Sequence, residues 1–192
     1  RVAYATRSLG AYASMRIMPA AELVRVPDGI SNETAAAIML KGMTAEFLIE
    51  RCAAIRPGQT ALVHAAAGGV GSLLVQWLTS LGVHVFAHVG DEAKAANVRN
   101  LGIEAISSCP MEALAAWVRD QTDGRGVDVV FDGIGAASWN ASLSAVAKRG
   151  LIISYGNASG PVPPIGMLDL MKAGSVFVTR PTLWDYCGTT AE

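Results

Sequence analysis

The sequence predicts a doubly wound α/β domain built on a parallel sheet, preceded by a short β-rich segment. Three observations carry this. From about residue 61 onward, short runs rich in Val, Ile and Phe alternate with stretches whose apolar residues recur every three or four positions. The runs are apolar on both faces, as strands covered by helices on each side require. Glycine or a capping residue punctuates the junctions between them. Right-handed crossovers turn such an alternation into a doubly wound sheet.

The elements follow in chain order. Residues 10–17 and 23–26 resemble antiparallel strands, and Pro27-Asp28-Gly29 turns the chain out of them. Ser31 opens a helical stretch containing Ala35 and Leu40, a second helix is predicted over 44–54, and Pro57-Gly58 closes the segment. Residues 61–64 form the first strand of the alternation. Leu73, Leu74, Trp77, Leu78 and Leu81 then share one helix face, stopped by Gly82. Residues 83–87 are the next strand, and Asp91 caps a helix reaching about Asn100, ended by Gly102. A short strand near Ala105 and Ile106 precedes a helix over about 111–121, with Leu114, Trp117 and Val118 as its apolar face. Residues 123–126 turn the chain into a strand at 127–131. A helix over about 139–147 leads through Gly150 into a strand at 151–154, and 175–179 reads as the last strand.

Composition removes several function classes. The 192 residues are 52% hydrophobic and 16% charged with a net charge of −1, so no global field draws the chain to nucleic acid or an anionic membrane. The most apolar region, 60–89, is broken by His64, a glycine cluster, Gln76, His84 and His88. It offers no run of about 20 apolar residues that would span a bilayer. The opening residues, from Arg1, lack the apolar core of a secretory signal. Cys52, Cys109 and Cys187 stand far apart with no CxxC pair. That argues against a metal site or a disulfide framework and suits a reducing cytoplasm.

The chemistry concentrates at residues 65–71, Ala-Ala-Ala-Gly-Gly-Val-Gly, between a predicted strand and a predicted helix. This is an A-x-x-G-x-x-G form of the dinucleotide fingerprint. Gly68 lets backbone approach a diphosphate, Gly71 lets the helix pack closely on the sheet, and the first helical amides face the phosphates. An NAD site usually carries Asp or Glu about 20 residues beyond the glycines. Here that region is His88-Val89-Gly90 with no carboxylate, and Lys94 follows one helical turn later as a point charge for a 2′-phosphate. The pattern therefore points to NADPH. Asp91 would repel that phosphate, but it also sits where a helix cap is needed. Two more glycine-bearing turns, 132–135 and 156–160, lie at the C-terminal ends of later strands, where ligands gather in open α/β sheets. Asp132 reads as a turn residue bonded to backbone rather than as a general base.

The run from Val63 to Gly71 resembles the cofactor loop of the NADPH:quinone oxidoreductases, the zeta-crystallin-like, zinc-free branch of the medium-chain dehydrogenase/reductases. Segments 9–13, 40–45, 126–132, 154–160 and 178–183 are similar to that family too, so the resemblance covers essentially the whole chain. It implies a Rossmann domain at 31–192, connecting helices included, and a GroES-like β domain represented only by terminal strands at 1–30. The chain then looks like a fragment that alone is inactive. It also implies direct hydride transfer from NADPH to a small-molecule quinone or activated alkene (an enone), without zinc.

Residue by residue, the resemblance places Ala67, Gly68, Gly69 and Val70 at the diphosphate and Gly90 and Lys94 at the adenosine 2′-phosphate. Ser108 stands where the family often has Tyr or His; it can donate a hydrogen bond but cannot stack. Tyr155, Gly156 and Asn157 match the turn near the nicotinamide. Arg180, after Thr179, matches the last strand edge, within reach of a phosphate or a partner subunit. Family dimers pair their sheets at that edge, which implies a homodimer through 176–179, bounded by Val176 and Thr179. No general acid is named, because a family candidate would lie in the N-terminal portion before residue 1. Two alternatives stay open: an enoyl reductase, as a module of a larger synthase, and a non-catalytic NADPH-binding protein that senses redox state or binds RNA.

Overall fold

A computed structural model describes residues 1–187; the end of the Rossmann expectation, 188–192, lies outside the described residues. Six strands form one sheet: β3 (Thr60–Val63), β4 (His84–His88), β5 (Ile106–Ser107), β6 (Val127–Asp132), β7 (Val146–Ser154) and β8 (Phe177–Thr179). Their order is β5-β4-β3-β6-β7-β8, every neighbouring pair is parallel, and the direction of winding reverses between β3 and β6. This is the doubly wound Rossmann arrangement the alternation predicts, with its switch point beside β3.

Strand alternation sorts the core. Ala61, Val63, Val85, Ala87, Val129, Phe131 and Ile153 face a cluster that includes Leu74, Val75 and Leu78 of α2 (Gly69–Ser80) and Ala95 and Val98 of α3 (Glu92–Arg99). Leu62, Phe86, Val130 and Ile152 face the other side, against Leu114 and Val118 of α4 (Met111–Asp120) and Trp139 and Ala141 of α5 (Trp139–Ala145). Each large side chain fully removed from water here contributes about 1.5–3 kcal/mol. At the opposite end of β3, the Asp128 carboxylate accepts from the Thr60 amide and hydroxyl, both at 2.8 Å, and pairs with Arg125 at 2.6 Å. These contacts pin the β3–β6 register.

Three local expectations need correction. Residues 10–17 form no strand, and 23–26 shortens to β2 (Val24–Arg25), paired antiparallel with β1 (Val2–Ala3). Leu9, Tyr12, Met15 and Ile17 are almost fully exposed, so this segment has no neighbouring strand or core to bury against. The two helices expected before Pro57 are continuous: α1 (Asn32–Glu46) runs directly into a π-helical segment, Phe47–Ala53. Ser31 caps α1 as expected, accepting from the Thr34 amide at 3.1 Å, and the helix continues through Gly42. Phe47, Leu48 and Ile49 are buried in succession, more than one α-helical stripe presents, and the wider π turn accommodates them. Finally, β7 begins at Val146 rather than 151, through an irregular stretch with Arg149 at φ +59°, so α5 ends at Ala145. A short helix, α6 (Met167–Lys172), covers the approach to β8.

Candidate functional site

The predicted site residues lie along the C-terminal edge of the sheet, in three groups. The first is the glycine turn. β3 ends at Val63, the chain turns through Ala65 at φ +49°, and α2 starts at Gly69 with Gly68 as its N-cap. Gly68 supplies no capping side chain, so the first-turn amides of α2 remain for an outside acceptor. Gly71 is required by packing: a Cβ there would lie 2.3 Å from the Ala65 carbonyl oxygen, within the turn itself. Ala67, Gly68, Gly69 and Val70 thus form a surface of small side chains and backbone above β3.

The second group surrounds the ends of β4 and β5. Asp91 is the N-cap of α3, accepting from the Lys94 amide at 2.8 Å, and its other oxygen pairs with Lys94 Nζ at 2.7 Å. Lys94 Nζ also lies 3.7 Å from where a Gly90 side chain would begin, so the ammonium hangs beside the open space Gly90 leaves. Ser108 donates to Glu92 at 3.2 Å, and the other Glu92 oxygen pairs with Arg99. These groups are largely exposed, and the Lys94 interaction lowers the Asp91 pKa.

The third group joins the turns after β6 and β7. Ser159 donates its amide (2.8 Å) and hydroxyl (2.9 Å) to the Ile134 carbonyl, and Ala136 donates to the Gly160 carbonyl at 3.0 Å. Gly135, at φ +93°, would bring a Cβ within 2.3 Å of the Gly160 oxygen, so the turns touch backbone to backbone. Tyr155 packs across Gly133, and burial, then the nearby Asp132 charge, raise its phenol pKa and keep it protonated. Gly156 and Asn157 continue this shelf. Arg180 donates to the Pro181 carbonyl at 2.9 Å and shares a 490 Å³ cleft with Tyr155, Thr44 and Phe47. Phe47 lies in no motif and enters the cleft only through the tertiary fold, as does Thr44 from the 40–45 segment.

Beneath the third group lies a network whose reach sequence reasoning missed. Asp132, fully buried, accepts from the amides of Ile134 (2.9 Å) and Gly135 (3.1 Å) and from the hydroxyls of Ser138 (2.7 Å) and Ser142 (2.6 Å). Ser142 spends its one proton on Asp132, so His64 Nε2, 2.9 Å away, donates to Ser142 and His64 Nδ1 stays bare. Burial pushes the His64 pKa down to about 4, against the raising effect of Asp132. Burial acts to raise the Asp132 pKa, but His64 and the hydroxyl and amide donors prevail and lower it. Asp132 is therefore a buried anchor, as the turn reading expects, and not a general base. The missed signal was the register: His88, His64, Asp132 and Ser154 occupy one row at the ends of four adjacent strands.

Among the described residues, no group of three or more His, Cys, Asp or Glu side chains is placed to hold a metal ion, and no helix is long and apolar enough to cross a membrane.

The family described as zinc-binding dehydrogenase matches residues 69–183. A quinone oxidoreductase of Pseudomonas aeruginosa is 45% identical over 189 residues, covering 98% of this chain and 58% of that protein. A 2-haloacrylate reductase of a Burkholderia species is 40% identical over all of this chain and 59% of its own length. The crystal structure of Escherichia coli quinone oxidoreductase complexed with NADPH superposes with a TM-score of 0.93 at 39% identity, covering 98% of this chain and 58% of that one. The chain spans just under three-fifths of these relatives' lengths. With a family match across most of the sheet and such identity along the whole chain, it belongs to the quinone oxidoreductase family of the medium-chain dehydrogenase/reductase superfamily.

Proposed function

We propose that the intact protein is an NADPH-dependent oxidoreductase that delivers a hydride to a quinone or an activated alkene, and that this chain supplies the cofactor half of the site. The observation that carries the reading is the 65–71 turn: a helix start with no capping side chain, where Gly68 and Gly69 leave the backbone uncovered by side chains of their own, at the switch point of a doubly wound sheet. The NADPH named in the E. coli structure supports the cofactor, and the relatives' names support the acceptor class.

When bound, NADPH supplies the hydride. The chain's own residues bind and orient. The amides at the start of α2 receive the diphosphate over Ala67, Gly68, Gly69 and Val70. Gly90 gives room for the adenosine 2′-phosphate, Lys94 neutralises it and Ser108 donates a hydrogen bond nearby. Tyr155, Gly156 and Asn157, braced by the 133–135 turn, form the shelf for the nicotinamide. Arg180 supplies positive charge at the cleft beside Tyr155. Rigid placement of this kind lowers the barrier by fixing the reacting geometry in advance.

The same reading assigns residues 1–30 to terminal strands of a GroES-like substrate domain and 31–192 to the nucleotide domain, in a cytoplasmic protein. Turnover belongs to the intact protein, and the isolated chain binds cofactor weakly. A homodimer forms through the β8 edge, where Phe177 is exposed, as are Met167, Leu168 and Met171 of α6. Loss of NADPH absorbance with a small ortho- or para-quinone tests the function, with NADPH favoured over NADH. No quinone turnover alongside reduction of an enoyl thioester moves the protein to the enoyl reductases. Tight NADPH binding with neither activity makes it a non-catalytic binder.

A further inference from the structure

The glycine-turn reading explains glycine at 68 and 71 but leaves Gly69 and Lys41 unexplained. Gly69 is the first residue of α2 and its φ lies outside the left-handed range, so its backbone does not require glycine. What the missing side chain accommodates is Lys41. A Cβ at Gly69 would lie 2.6 Å from Lys41 Cε, 2.7 Å from Cδ and 3.5 Å from Nζ. The lysine stem is laid across the start of α2, and any side chain at 69 would displace it.

Lys41 projects from the middle of α1, exposed, and among the described residues it forms no ion pair. Lys94, at the other end of the edge, is already paired with Asp91. An unpaired ammonium therefore stands within a few ångströms of the uncapped first turn of a 12-residue helix, which itself favours an anion. The two cations divide the work by position, Lys94 beside Gly90 and Lys41 over Gly69.

We propose that Lys41 is a ligand-binding residue for the diphosphate bridge of the dinucleotide, supplying from α1 the positive charge that the glycine turn cannot. This rests on the cofactor reading above and adds a residue to it. An ammonium is a point charge with three rotatable donors, suited to a bridging diphosphate whose oxygens are shared with backbone amides.

The test is a fluorescence titration of the intact protein with NADPH at two salt concentrations, and with adenosine 2′-monophosphate, which lacks the bridge. Lys41→Met keeps the stem and removes the charge. It is expected to raise the NADPH Kd by about tenfold at low salt, with a shallower salt dependence, and to leave adenosine 2′-monophosphate affinity unchanged. Lys41→Arg is expected to recover most of the loss. If wild type binds NADPH and Lys41→Met binds it equally well, the inference is wrong and the cofactor reading stands. If Lys41→Met weakens both ligands alike, the charge is not acting at the bridge and the inference is again wrong. If wild type binds no NADPH, both fall.

Discussion

The two ends of the sheet's C-terminal edge are built on opposite physical terms. At the ends of β4 and β5 the polar groups are exposed and paired in water: Asp91 with Lys94, Glu92 with Arg99 and Ser108. At the ends of β6 and β7 the carboxylate is sealed from solvent, and two turns are locked through backbone. Exposed pairs contribute little because water competes for each partner, whereas a buried carboxylate stripped of its donors has nowhere else to turn. The exposed end, proposed above for the adenosine, can be retuned by substitution. The sealed end, proposed above for the nicotinamide, tolerates almost none, because each of its buried groups depends on a partner that water cannot replace.

The sharpest way to break this contrast is to delete one carboxylate from each end. Asp132→Ala leaves the amides of Ile134 and Gly135 and the hydroxyls of Ser138 and Ser142 without their acceptor. It should cost about 3–5 kcal/mol in urea unfolding, with the 133–160 turns losing amide-exchange protection first. Glu92→Ala removes contacts to Ser108 and Arg99 and should stay within about 0.5 kcal/mol of wild type. Equal costs would show that the ends do not differ in the way their burial implies.

A smaller effect follows from His64. Its folded-state pKa lies at about 4, and an unfolded histidine titrates near 6.5, so below about pH 6.5 the unfolded chain takes up a proton that the native state refuses. Stability attributable to His64 is complete above that pH and drains away as pH falls toward 4, by up to about 3 kcal/mol. His88, shifted down by its own burial, adds to the same slope. His64→Gln should flatten the decline between pH 6.5 and 4.5 without abolishing it. An unchanged slope would mean that His64 already carries its proton in the folded protein.

Most of the sheet was legible because its signals are local. A strand, its glycine turn and the next helix are contiguous, and Asp91 caps the helix it touches. The Asp132 turn bonds likewise reach only two and three residues ahead. Contacts with long sequence separation were hidden. The His64–Ser142 bond spans 78 residues, and the lysine stem over Gly69 comes from a different helix. Residues 10–17 misled for the converse reason: their local resemblance to a strand becomes a strand only beside a partner that buries one face. Helix α1 runs through Gly42 because a single glycine costs a helix about 1 kcal/mol, too little to end one held by its neighbours.

The mildest change probes how the adenosine end is tuned. Asp91 does two things: one oxygen caps α3 through the Lys94 amide, and the other holds the Lys94 ammonium. Asparagine caps as well as aspartate, so Asp91→Asn keeps the first role and removes the ion pair together with a negative charge beside the space at Gly90. The thermal midpoint should move by no more than about 2 °C. NADPH affinity should rise by about threefold while NADH affinity stays put, because only the 2′-phosphate feels both the lost carboxylate and the released lysine. Weaker NADPH binding would reverse the sense of the pair: Asp91 would then be aiming the ammonium, and the exposed end would share the preorganised character of the buried one.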